Sequence, residues 1–214
     1  NRSNLRYLAR FETSNADLFC MLHSAKGKYE KILDHRLECL KHLKECGYQV
    51  GTGVMIGIPG QTLEDLCMDI RMFQQVDADM IGMGPYLMSE EADLEFLGQM
   101  ENKALFQLSL NMIAVTRLVM GNINIAAATA LQVLHPEGRE IAIEYGCNVI
   151  MPNLSPTKFR EGYQLYDHKP GLNDDPFHFG LYLEERIQSR GREVGWNESG
   201  SSRKWLMKQE KQEQ

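Results

Sequence analysis

Apolar positions along the chain follow two alternating rhythms. Tyr7-Leu8-Ala9-Arg10-Phe11 is a short apolar run that ends in polar Glu12-Thr13, the pattern of a short strand. Ala16 to His23 predicts a short helix, capped by Ser14 or Asn15. From Tyr29 to Cys46 the apolar residues fall at 29, 32, 33, 37, 40 and 43, which is a helical period. Gly47 behind them suits a left-handed C-cap. Gln49 to Ile58 (QVGTGVMIGI) predicts a glycine-interrupted strand, and Pro59-Gly60 a turn. Thr62 and Asp65 read as a capping box that opens a helix running to about Val76.

The alternation continues. Asp79 to Pro85 predicts a strand, residues 88 to 102 an acidic loop, Lys103 to Met120 a long amphipathic helix, and Ile123 to Ala128 another strand. Pro136 to Tyr145 predicts a helix with proline in its first turn. Val149 to Pro152 predicts a fifth strand, with helices near Thr157 to Tyr166 and Leu181 to Ser189. Beyond Gly195 the Ser-, Lys-, Glu- and Gln-rich chain predicts a frayed tail. Short apolar strands without strict alternation, each followed by a helix, indicate an α/β fold with a covered parallel sheet. An eight-stranded barrel needs about 250 residues, so five strands in 214 residues do not close one. Two architectures stay open: an open sheet, or the later part of a barrel.

Composition narrows the function classes. The net charge of -6 argues against gripping nucleic acid by charge, because phosphate neutralisation needs clustered Lys and Arg. No apolar run approaches the ~20 residues that span a bilayer. Residues 1–10 have no apolar region of the signal-peptide kind. The chain opens on Asn1 rather than Met, so an upstream segment is expected. The five cysteines, Cys20, Cys39, Cys46, Cys67 and Cys147, contain no CxxC pair, which argues against a zinc ribbon or a self-contained cluster motif. They read as free thiols in a reducing compartment.

In parallel α/β folds, chemistry gathers at the C-terminal ends of strands. That rule selects Arg10, Glu12 and Thr13, then Met55 and the Gly57–Gly60 turn, then Gly84 and Tyr86, Thr129, Met151 and Asn153, with Tyr163 and Tyr166 beyond. Each has a plainer reading: Glu12 as a cap, Met55 and Met151 as core filler, Tyr163 and Tyr166 as a packing pair. GTGVMIGIPG lacks both the GK[ST] of a P-loop and the GxGxxG of a dinucleotide loop. The six histidines share no metal-ligand spacing.

Five segments acquire meaning together: YLARFETSN at 7–15, GYQVGTGVMIGIPGQTLEDL at 47–66, DADMIGMGPY at 77–86, AATALQ at 127–132 and GREIAIEYGCNVIMPNLSP at 138–156. They resemble the radical S-adenosylmethionine (SAM) enzymes of the biotin synthase-like group, and within it the branch that matures [FeFe]-hydrogenase. Other members, of methylornithine synthase or biotin synthase type, are the alternative within the group, and a non-catalytic fragment the alternative outside it. The resemblance runs from about Tyr7 to Gly195. It implies a partial (β/α)8 TIM-type barrel over residues 1–195, about strands four to eight, with the biotin/thiamin synthesis-associated region at about 110–195 and a flexible tail at 196–214.

It further implies SAM and one [4Fe-4S] cluster as cofactors. The cluster's CxxxCxxC cysteines are expected upstream of Asn1, so no metal ligand and no catalytic residue is expected here, and this chain alone is expected to be inactive. By resemblance, Glu12 contacts the SAM ribose, Arg36 pairs with the SAM carboxylate, and Met55 and Leu87 pack near SAM. Arg10, Thr129, Met151 and Tyr163 line the substrate cavity. The implied reaction is reductive cleavage of SAM to a 5'-deoxyadenosyl radical acting on a sulfur- and iron-bearing, cysteine-derived small substrate. The other implied partners are hydrogenase maturation proteins, in the cytoplasm of an anaerobe or in a reducing organelle, with neither nucleic acid nor membrane. Three departures from the group are visible. Ala128-Thr129 replaces paired threonines, residues 87–93 replace a PHPDTP-like segment, and residues 167 to 195 carry no cysteine, so no second cluster is expected.

Overall fold

The computed structural model describes residues 6–23, 30–88, 98, 100–152, 156–159 and 176–212. Strand β1 (Arg6–Leu8) leads to helices α1 (Ala16–Leu22) and α2 (Glu30–Glu45). Then come β2 (Gln49–Thr52), β3 (Met55–Ile56), α3 (Leu63–Gln75), β4 (Met80–Pro85), α4 (Asn102–Met120) and β5 (Asn124–Ala127). Helices α5 (Leu131–Leu134), α6 (Gly138–Glu144), α7 (Pro176–Gln188) and α8 (Arg203–Gln212) complete the order.

All strand pairings among the described residues are parallel. β2 and β3 are one strand with a break. Gly51 faces Met80 and Met55 faces Gly84, the same offset of 29 positions along β4. The break lies at Gly53, where a Cβ would stand 1.8 Å from the Gly82 carbonyl oxygen, so the two backbones approach too closely for any side chain. The strands therefore run in sequence order: β1, β2 with β3, β4, β5, and then Val149, which bridges Ala126. A doubly wound sheet reverses its strand order at a switch point; this one does not among the described residues. The order is that of a barrel wall, which decides between the two architectures left open by the sequence. The core lies between this arc and its helices and includes Phe11, Ile56, Phe73, Ile81, Ile113 and Ile125.

The polar end of the chain departs from the expectation of a frayed tail at 196–214. Residues 203–212 form α8, with Trp205 buried. The segment ahead of it crosses the N-terminal ends of the strands. Arg6 donates to the Ser199 carbonyl, Gln49 Nε2 to Ser201 Oγ at 2.9 Å, and Asn124 Nδ2 to the Gly200 carbonyl at 2.8 Å. The Lys204 amide donates to the Asn122 carbonyl at 2.9 Å. These partners are more than 70 residues away, so composition alone reads only the local polarity. Of the expected helix at 157–166, Thr157–Phe159 form a 3-10 turn and residues 160–166 lie outside the described residues. No described helix is long and apolar enough to cross a membrane.

Candidate functional site

Glu12 is the unusual residue at the C-terminal rim of the arc. Its φ is 67°, in the left-handed region that costs a non-glycine residue about 1–3 kcal/mol. The Thr13 amide donates to the Phe11 carbonyl at 2.8 Å, closing a γ-turn around Glu12. Two strand-type bonds hold Glu12 to the next strand: its amide to the Gly53 carbonyl at 3.1 Å, and the Met55 amide to its own carbonyl at 2.9 Å. β1 has one more residue than its neighbour between the Leu8–Gly51 and Glu12–Val54 pairings, so the chain bulges here and turns the side chain.

Two guanidinium groups meet at this turn. Arg10 Nε lies 3.2 Å from Glu12 Oε2, and Arg10 Nη2 donates to the Val54 carbonyl at 2.7 Å. Arg36 Nη1 donates to the Arg10 carbonyl at 2.9 Å, and its guanidinium lies over the Phe19 ring at 5.1 Å. That bond uses one of five arginine N–H donors. Phe19 in turn packs on His23, ring centroids 4.4 Å apart. Burial, then the Arg36 charge, hold the His23 imidazole below its usual value, with Glu12 acting in the opposite direction. His23 Nε2 is buried and has no hydrogen-bond partner among the described residues.

Beside this polar group lies a small apolar cluster of Leu18, Ile58 and Tyr86, with Met21, Leu22, Met55 and Met88 packed against it. Burial raises the Tyr86 hydroxyl above its usual value. The GIPGQT segment forms the rim as a braced turn. Gln61 Oε1 accepts from the Gly57 amide at 2.8 Å and the Ile58 amide at 3.3 Å, and Nε2 donates to the Met55 carbonyl at 3.2 Å. Thr62 and Asp65 complete the expected capping box of α3. The glycine-rich motif is thus built from backbone demands, with Gln61 as the brace.

The structure brings Arg10, Glu12, Arg36 and Met55 together. Leu87 is half-buried just past Tyr86. Thr129 lies in the turn between β5 and α5, where its carbonyl accepts from the Gln132 amide at 3.0 Å. Met151 is 55% exposed, and Asn153, Tyr163 and Tyr166 lie outside the described residues. Ala128, one of the departures, faces Gly84 so closely that a Cβ on Gly84 would stand 2.8 Å from the Ala128 Cβ. Sequence reasoning missed Gln61, His23 and Asp69. Asp69 had a signal: it is a polar residue on the buried face of α3, among Leu66, Ile70 and Phe73.

The donor set fits an amino-acid nucleoside. A carboxylate suits vicinal hydroxyls, a guanidinium with spare N–H groups suits a carboxylate, and an apolar cluster with thioethers suits a purine. It does not fit an iron–sulfur cluster. No group of three or more His, Cys, Asp or Glu among the described residues is placed to hold a metal ion. Cys39 and Cys67 are exposed on helices and Cys46 is exposed just past the end of α2, whereas Cys147 is buried and its thiol is pushed up to about 12 by burial.

No family model matches the chain. Over 164 residues, 77% of this chain, it is 43% identical to the [FeFe] hydrogenase maturase subunit HydE of Thermotoga maritima. The match covers 44% of that protein, so the chain spans less than half the length of this relative. Among solved structures, methylornithine synthase (PylB) has the same fold, with a TM-score of 0.67 at 22% identity over 89% of this chain and 52% of PylB.

Proposed function

We propose that the chain, similar over most of its length to the HydE maturase subunit, belongs to the HydE family of radical SAM enzymes and forms the SAM-clamping and substrate-lining part of an [FeFe]-hydrogenase maturase. The observation that carries the proposal is Glu12, a carboxylate held in a strained turn at a strand's C-terminal end with Arg10 and Arg36 around it. In this reading the Glu12 carboxylate accepts hydrogen bonds from both ribose hydroxyls. Arg36 pairs with the SAM carboxylate through N–H donors not used on the Arg10 carbonyl. Met55 and Leu87 border the adenine and sulfonium, next to the Leu18, Ile58 and Tyr86 cluster.

SAM, when bound, supplies a 5'-deoxyadenosyl radical on reductive cleavage. The proposed substrate is a sulfur-containing, iron-linked, cysteine-derived small molecule, with Arg10 binding its carboxylate and Thr129, Met151 and Tyr163 lining its cavity. The proposed protein partners are other hydrogenase maturation proteins. The electron and the iron–sulfur cluster come from outside the described residues, since their cysteines are dispersed. The role of this chain is to bind, orient and exclude water, and the fully buried Phe11 and Val54 flank the Glu12 turn for that purpose.

Calorimetric titration of SAM into the intact polypeptide tests the reading. Glu12→Ala and Arg36→Ala should each weaken binding about tenfold, the loss of roughly one charge-assisted contact. Unchanged affinity in both variants would remove the site from consideration.

A further inference from the structure

Helix α3 carries a carboxyl in a place where a helix of this kind ordinarily carries an apolar residue. Asp69 is fully buried, on the same face as Leu66, Ile70 and Phe73. A buried carboxyl is costly unless its oxygens are occupied. One of them is: Asp69 Oδ1 accepts from the Ser14 amide at 2.6 Å. Asp69 Oδ2 and the buried Ser14 Oγ have no well-aligned partner among the described residues. One helical turn earlier, Asp65 Oδ1 accepts from Asn15 Nδ2 at 2.9 Å. Two successive carboxyls of α3 therefore hold the two residues that follow the Glu12–Thr13 turn. Asp65 is itself fixed by the Thr62 capping box, so the hold is anchored at the start of the helix.

Glu12 is then clamped from two directions. The strand ladder fixes its own amide and carbonyl, through Gly53 and Met55. Downstream, the chain leaves the γ-turn only through Ser14, whose amide belongs to Asp69. Without that second hold, the turn is free to relax toward an unstrained φ while keeping the ladder bonds nearly intact, and the Glu12 carboxylate swings away. We propose that Asp69 is a positioning residue for Glu12: its buried carboxyl pins Ser14, keeps the strained turn in place and so sets SAM affinity without touching SAM. The inference rests on the reading of Glu12 as a SAM-binding residue.

The hold needs an acceptor of this shape facing the Ser14 amide. Burial pushes Asp69 up to about 6, against the opposing effect of Ser14. An amide of the same shape satisfies both neighbours, with its oxygen accepting from the Ser14 amide and its NH2 donating to Ser14 Oγ.

The test compares Asp69→Ala, Asp69→Asn and Glu12→Ala in the intact polypeptide, with SAM affinity measured by calorimetry and melting temperature recorded alongside. Asp69→Ala should weaken SAM about tenfold, Asp69→Asn should stay within about twofold of the unsubstituted protein, and Glu12→Ala should weaken SAM at least as much as Asp69→Ala. An Asp69→Ala protein that binds SAM normally while Glu12→Ala does not would overturn the positioning role and leave the SAM reading standing. Asp69→Asn losing as much as Asp69→Ala overturns it too, since shape would then not suffice. Glu12→Ala without effect overturns the SAM reading and this inference with it. Should Asp69→Ala not fold, hydrogen exchange in the unsubstituted protein decides: the Ser14 amide should be strongly protected, and exchange at the rate of an open loop refutes the pin.

Discussion

Asp69 also has an acid–base consequence at the scale of a single residue. Its carboxyl titrates at about 6 in the fold against an ordinary 3.8, because burial disfavours its charged form. Between those values the folded chain keeps a proton that the unfolded chain has released. Its contribution to stability is therefore complete below about pH 4 and declines as the pH rises through about 6, where it levels off. The whole shift corresponds to at most about 3 kcal/mol. Asp69→Asn is neutral at every pH, so its gain in melting temperature over the unsubstituted protein should widen from pH 4 to pH 7. A gain of the same size at both ends would mean that no buried charge forms. Neighbouring residues differ in how readable they are from sequence. Asn15 is recognisable as a cap because N-capping is local, and Glu12 and Arg36 because their motifs are recognisable. Asp69 acts on a residue 55 positions away, and only its polar character on an apolar helical face marks it.

At the scale of elements, glycine separates two kinds of constraint. Gly47 has a φ of 83° and nothing within 4 Å of the place a Cβ would take, so alanine there meets only the left-handed backbone cost, about 1 kcal/mol. Gly53 lies where a Cβ would collide with the Gly82 carbonyl, a backbone atom in the neighbouring strand. Gly53→Ala must push β2 from β4 and should cost at least about 3 kcal/mol, the scale of severe overpacking. Thermal melts of the two variants check the order; equal losses would show that the strands part without resistance. The sequence marks both glycines, one as a cap and one as an interruption, but periodicity does not tell a tolerant glycine from a steric one. The same limit applies to the fifth strand. Val149 to Pro152 reads as an apolar run, yet among the described residues only Val149 bridges β5. The Asn148 side chain takes the Ile125 amide at 2.8 Å, replacing a ladder bond with a side-chain bond. Helices α2 and α3 are legible nearly to the residue because their period, caps and capping box are all local.

At the scale of the molecule, the two ends of the arc are built differently, and that separation is testable. The C-terminal rim carries Arg10, Glu12 and Arg36. The opposite end is closed by residues 199–208, which reach the starts of β1, β2, β4 and β5. Asp77 is the knot of that floor. Lys44 lies 3.2 Å from its Oδ2, Lys204 2.6 Å from its Oδ1, and Lys208 pairs with it as well. Burial alone would raise the Asp77 carboxyl, but Lys204, Lys208 and Lys44 outweigh it and hold it well below the usual carboxylate range. A depressed acid contributes stability that is present above 3.8 and is lost as the pH falls below it. Half-exposed pairs of this kind contribute about 1–2 kcal/mol together, enough to seat one amphipathic helix and too little to hold the barrel wall. Asp77→Asn keeps the left-handed backbone at φ 51° and removes the charge. It should release α8 alone: Trp205 emission shifts to the red, amides of 203–212 exchange faster, and SAM affinity at the other rim stays unchanged. The unsubstituted protein should show the same Trp205 shift on acidification below pH 3.8. Loss of SAM binding together with the Trp205 shift would show that floor and rim are one cooperative unit, and an unmoved Trp205 would show that Lys204 and Lys208 hold the helix through their other contacts, chiefly the Ala78 carbonyl.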